Sequence, residues 1–181
     1  MSVSDDCKKK DRCLLESFRK KQEVDLTVLG FDYSGTFLAA HKGVVVVEDP
    51  FELNFIAARS VSVVTLPKSQ KDKGKKIRID CQDPVCTFIK LLISLINKPV
   101  LIQVESTFIQ GAVFKVSASK KQLTLLISSG GCQSTVLISI ENIAVILVPL
   151  NNTNGIIFGD FMVTNNTVTP QDLLLFQKPP A

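Results

Sequence analysis

Apolar and polar positions along the chain fall into one pattern written twice, over residues 24–67 and 100–149. The first copy runs Val24-x-Leu26-x-Val28, then Gly35-x-Phe37, then Val44-x-Val46, and closes with Ile56-x-Ala58-x-x-Val61-x-Val63 before Pro67. The second runs Val100-x-Ile102-x-Val104, Gly111-x-Val113 and Leu123-x-Leu125, and closes with Ile138-x-Ile140-x-x-Ile143-x-Val145 before Pro149. Alternation with period two predicts strands, and repetition of a whole strand series predicts a duplicated unit.

The elements follow from local signals. Asp11–Gln22 is predicted as a short helix with Asp11 at its cap and Leu14, Leu15 and Phe18 on one face. Val24–Leu29 reads as a strand, Asp32–Ser34 as a turn, and Gly35–Ala40 as a second strand bent at its glycine. Lys42-Gly43 makes the next turn, Val44–Glu48 is a third strand, and Asp49-Pro50 breaks the sheet. Phe51–Arg59 and Ser60–Leu66 complete the first unit. Lys68–Lys76 has the composition of a linker. Asp83-Pro84 starts a helix whose Val85, Phe88, Leu91, Leu92 and Leu95 recur at helical spacing. Asn97-Lys98-Pro99 ends it, and Gly130-Gly131 is a hairpin turn. The predicted organisation is a first unit over 1–67, a basic linker over 68–80, a second unit over 81–150 and a C-terminal extension over 151–181. Ile156–Val163 is read as a strand or hairpin, and Leu173–Phe176 as a cluster docked on a barrel, the preferred reading, or exposed for a partner.

Composition agrees with a folded, mainly β protein: 45% hydrophobic, 21% charged, rich in β-branched residues and without tryptophan. The net charge of +4 does not mark the whole molecule as a polyanion binder. Basic residues cluster at Lys8–Lys10, Arg19–Lys21 and Lys68–Arg78, the last without interleaved aromatics that could stack on bases. The opening residues lack the apolar core of a secretory signal, and the most apolar helical stretch, Phe88–Ile96, is too short to span a bilayer. A cytoplasmic protein with no membrane contact is therefore expected.

Five cysteines, at 7, 13, 81, 86 and 132, lack the spacing of a zinc or redox site and are read as buried or reduced free thiols. Cys7 and Cys13 are candidates for cross-linking between chains. The single histidine, His41, sits in a predicted turn with no nucleophile or orienting carboxylate nominated beside it. No phosphate loop, dinucleotide fingerprint or metal-ligand cluster occurs, so no cofactor and no catalytic residue is assigned. A thiol enzyme using Cys81 or Cys86 stays as a third class of reading.

A short helix followed by five strands, the second bent at glycine, resembles the Sm-like fold, an SH3-like small barrel. The match is carried by Leu95-Ile96-Asn97-Lys98-Pro99-Val100-Leu101-Ile102-Gln103-Val104, Gly111-Ala112-Val113 and Ile138–Ile146, and covers 83–149 more fully than 11–67. The pattern is also similar to a small uncharacterised domain family of spore-forming Firmicutes. The resemblance implies two tandem barrels, each led by a short helix, and association through strand edges, as in Sm-like rings. RNA-binding members of the family read uridine through an Asp-x-aromatic-x-Asn type loop and an Arg-Gly turn. Here those places hold Ala40-His41-Lys42-Gly43 and Ser119-Lys120-Lys121-Gln122, then Ala58-Arg59-Ser60 and Ile140-Glu141-Asn142. Base-specific recognition is therefore not carried over. Lys42, Arg59, Lys120 and Lys121 remain as candidate contacts to nucleic acid or a partner protein. The expected function is a non-enzymatic structural or interaction protein that self-associates, with a spore-coat component as the sharper form. The alternative is an RNA-binding Sm-like module.

Overall fold

The computed structural model describes residues 14–67, 74–164 and 167–170. The fold is mainly β, with one α-helix among the described residues. Five strands of the first copy, β2 (Glu23–Val28), β3 (Phe31–His41), β4 (Val44–Glu48), β5 (Glu52–Ala57) and β6 (Val61–Thr65), precede the helix α1 (Val85–Ser94). Five of the second follow it: β8 (Pro99–Val104), β9 (Thr107–Ser117), β10 (Gln122–Ser129), β11 (Cys132–Ser139) and β12 (Ile143–Pro149). A single-turn 3-10 helix, Ala58–Ser60 or Ile140–Asn142, links the fourth and fifth strand of each copy.

All ten strands join in one antiparallel sheet of order β11-β10-β9-β8-β12-β5-β4-β3-β2-β6, and no closed barrel forms. Each copy contributes a block of the same internal order. The blocks meet where β12 pairs with β5, with Ile146 opposite Phe55 and Val145 opposite Ile56. The two expected tandem units therefore lie in one continuous open sheet and share a seam.

Equivalent backbone features show that the duplication is structural as well as textual. Lys21 and Asn97 both adopt positive φ, and their amides donate to Phe37 O and Val113 O. The tip of each first long hairpin is bolted to the 3-10 turn, by Ala58 N to Gly43 O at 2.8 Å and by Ile140 N to Lys121 O at 2.9 Å. Gly35 and Gly111 occupy matching places in the long strands, and a bulge follows each, at Phe37/Ala39 and opposite Thr124/Leu125. The bulge lets one strand bend sharply enough to serve both parts of its half.

The structure changes the register read from the sequence. Val45 and Val47, not Val44 and Val46, share the first core with Val24, Leu26, Val28 and Phe37. Val44 and Val46 face the second core with Phe88, Leu91, Ile102, Leu123 and Leu125. With both faces of β4 buried, its four consecutive valines carry no alternation from which a register could be read.

Other expectations fail for similar, non-local reasons. The turn after the first strand lies at Leu29-Gly30, with φ of 51° and 87°, and β3 runs unbroken through Asp32–Ser34. Within the described part of 11–22 there is no helix. Ser17–Arg19 instead forms β1, paired with β7 (Lys76–Arg78) from the segment read as a linker. Leu15 and Phe18 are buried, while Leu14, expected on their face, is exposed.

Helix α1 follows its signals closely. The Asp83 carboxylate accepts the Val85 amide at 3.1 Å, and Val85, Phe88, Leu91, Leu92 and Leu95 are buried. Against it packs a small sheet of β13 (Ile156–Phe158), β14 (Phe161–Thr164) and β15 (Thr167–Pro170). Ile157 N donates to Ser94 Oγ at 3.1 Å, and Ile156, Phe158 and Val163 enter the core that α1 lines. Leu173–Phe176 lies outside the described residues.

A buried polar pair ties the halves together. The Tyr33 hydroxyl donates to Gln103 Oε1, and Gln103 Nε2 donates to Val28 O at 3.3 Å and Glu105 O at 3.1 Å. Tyr33→Phe leaves the Gln103 oxygen buried without a donor, so a loss of about 1–3 kcal/mol is expected in urea unfolding. Burial first, and the nearby Glu52 charge second, hold the Tyr33 phenol well above its ordinary pKa of 10.0. The raised value means that the folded state holds its phenolic proton where the unfolded state releases it. Stability from this group is complete below the ordinary value and falls as pH rises beyond it. Tyr33→Phe should flatten that alkaline decline. The chain has one tyrosine, so phenolate absorbance reports the titration directly.

Candidate interaction surface

The candidate basic residues lie on the hairpin tips and 3-10 turns, close to the seam. Arg59, exposed on the first 3-10 turn, donates from Nη2 to the Glu141 carbonyl at 2.9 Å and lies 3.5 Å from Asp83 Oδ1. Glu141 also holds Lys121, whose Nζ lies 2.7 Å from Oε1. That hydrogen bond raises the Lys121 pKa above its ordinary value, with the Glu141 charge acting in the same direction. Arg59 and Lys121 are thus gathered around one acidic residue, with Asp83 alongside.

Such half-exposed pairs are worth little to stability. Their consequence is electrostatic: a phosphate approaching Lys121 meets the Glu141 carboxylate, and one approaching Arg59 meets that of Asp83. Lys120 is exposed on the second hairpin tip, beside Lys121. Lys42 stands apart, on the first tip, where its carbonyl accepts Thr87 Oγ1 of α1 at 3.2 Å. The sequence placed all four on turns, but it gave no sign that Glu141 joins two of them across the seam.

His41 is partly buried at the end of β3, with its ring 6.0 Å from that of Phe158. Burial, the largest influence, lowers its pKa; Lys42 and Lys90 act in the same sense, and Asp160 opposes them. The ring is packed rather than paired with a nucleophile. No group of three or more His, Cys, Asp and Glu side chains positioned for a metal occurs among the described residues.

The thiols divide. Cys86 and Cys132 are free, and both are exposed. Cys81 is disulfide-bonded, against the expectation of a reduced thiol. Its Sγ lies 3.6 Å from Leu15 O, in a groove of about 720 Å³ lined by Leu15, Glu16, Arg78, Ile79, Asp80 and Cys81. Cys7 and Cys13, the candidates for cross-linking, lie outside the described residues. The groove's charges are mixed in sign, and its sulfur is already bonded, so it offers no thiolate nucleophile.

The more distinctive surface consists of the two ends of the sheet. Among the described residues, strands β6 and β11 each pair on one side only, with β2 and β10. Neither contains a charged residue or a proline: β6 reads VSVVT and β11 reads CQSTVLIS. Lysine, proline and inward charges are the usual guards against edge-to-edge pairing, and both edges lack them. Val63 on β6 is 49% exposed and Leu137 on β11 is 62% exposed. No helix among the described residues is long and apolar enough to cross a membrane. No protein-family model matches the chain, and the searches of curated proteins and of solved structures returned no match.

Proposed function

We propose that the chain is a non-enzymatic assembly protein, built from two fused Sm-like units and associating through its sheet edges. The single observation that carries this reading is the pair of unguarded outer strands at the ends of a ten-stranded sheet. Five strands per unit, with a bulge in the second just after its glycine, support the Sm-like part of the reading. A structural role in the spore coat, reached from the cytoplasm where the chain is made, is the sharper form. It rests on the resemblance to domains of spore-forming bacteria alone.

Binding of RNA is the competing use of such a unit, through Lys42, Arg59, Lys120 and Lys121. The contacts of Arg59 and Lys121 with Glu141 weigh against it. Light scattering after size exclusion tests the preferred reading: multimers are expected, and a clean monomer at high concentration overturns it. Titration with labelled oligo(U) at rising salt tests the competitor. Little binding is expected, whereas tight binding that weakens steeply with salt would establish phosphate contacts.

A further inference from the structure

Helix α1 has two apolar faces, and the core takes only one of them. Val85, Phe88, Leu91, Leu92 and Leu95 are buried. Cys86, Ile89 and Ile93, three and four residues apart, line a second face, and Ile96 follows at the helix end. Cys86 is exposed, Ile89 is half-buried, Ile93 is 49% exposed and Ile96 is 40% exposed. One exposed isoleucine is ordinary, but several on one helix face make a contact surface. Lys90, exposed, borders it.

The small sheet leads the chain to within reach of this face. β13 packs on α1, with Ile157 N donating to Ser94 Oγ at 3.1 Å, next in sequence to Ile93. β14 lies beside β13 and β15 beside β14, which puts β15 about 10 Å from β13. Phe158, Phe161 and Pro170 stand opposite one another across the three strands. Phe158 packs beside His41, whose imidazole feels the charge of Lys90. The chain then runs on from Pro170 as Gln171-Asp172-Leu173-Leu174-Leu175-Phe176. An extended residue spans about 3.3 Å, so Leu173 can reach about 10 Å from Pro170 and Phe176 about 20 Å.

We infer that the segment Leu173–Phe176, which lies outside the described residues, docks on the exposed face of α1 and covers Ile89, Ile93 and Ile96. Its four residues are apolar without interruption. Asp172 precedes them and Lys90 borders the receiving face, so opposite charges meet at the rim as the apolar groups come together. Removal of apolar surface from water on both partners drives the contact. A segment tethered this closely is held at high effective concentration, so a weak contact suffices to keep it in place. The inference is independent of the assembly reading, because α1 belongs to neither edge of the sheet.

The chain has no tryptophan, so Phe176→Trp supplies a single reporter. Its emission is expected to be blue-shifted relative to the same variant unfolded in urea. Adding Ile93→Glu should move the emission to the red, towards the unfolded position, with circular dichroism unchanged because the buried face of α1 is untouched. Red emission from Phe176→Trp alone, or blue emission that Ile93→Glu leaves in place, overturns the inference. Leu174→Cys, in a background carrying Cys132→Ser, gives an independent reading through the natural thiol of Cys86. A short bismaleimide should join positions 86 and 174 within one chain, giving a monomer-sized species on a denaturing gel with the linked peptides identified by mass spectrometry. A link between two chains at these positions assigns the face to a second copy and overturns the inference, as does the absence of any link.

Discussion

Alanine at Gly35 is expected to destabilise the protein by about 3 kcal/mol or more, enough to lower its urea midpoint sharply. A β-carbon there would press into the backbone carbonyl of Glu48, well inside van der Waals contact, with Val47 Cγ1 3.1 Å away. Both belong to the neighbouring strand, so relief requires the β3–β4 pairing to open where Thr36 faces Glu48. Gly111→Ala is the built-in comparison. Its added carbon would lie 2.9 Å from Leu126 O, with side-chain neighbours at 3.3 Å. A smaller shift suffices, and a cost of about 1–2 kcal/mol is expected. Equal effects at the two glycines would mean that the first copy has slack that its backbone spacing does not show.

Phe55→Ala is the second large effect, with an expected loss of about 3–5 kcal/mol by thermal and urea unfolding. The ring is fully buried on a strand of the seam, opposite Ile146 and 5.6 Å from the ring of Phe158. Truncation empties space that β4, β5, β12 and the small sheet all border, and none of them can move inward alone. Leu137→Ala, at the equivalent position of the other copy, should change the stability of the isolated chain by about 0.5 kcal/mol or less, as for exposed sites generally. The contrast between two like positions measures what the seam contributes. A small loss at Phe55 would show that the halves hold together by their polar and backbone contacts.

Much of the strand series was legible in the sequence, because its signals are local. Val24, Leu26 and Val28 alternate inward, Lys42-Gly43 turns with φ of 33° and 82°, and Asp83-Pro84 opens a helix as its residue types require. What escaped depends on partners far away in the chain. Ser17–Arg19 becomes a strand because Lys76–Arg78 supplies an edge, and neither segment carries a strong period of its own. The register of β4 escaped because four valines buried on both faces look alike to any alternating pattern. The seam escaped because each copy, read alone, has a complete-looking set of five strands.

Of the candidate site, the residue types and their turns were legible and their neutralisation was not. Glu141 was visible as an acidic residue where phosphate would approach. It holds Lys121 within its own copy, 20 positions away, but its backbone carbonyl meets Arg59 across 82 positions of sequence, a contact that only the folded seam creates.

The shared cores have a consequence for how the molecule holds together. Val44, Val46, Leu53 and Phe55, all from the first copy, complete the core around α1, while Ala144, Val145 and Leu147 from the second complete the other. Neither half owns the side chains that close it. A molecule that looks like two beads on a string is therefore bound to melt as a single body. A proteolytic nick in the basic stretch between the copies would leave two fragments that still need each other, as the pieces of a split protein do.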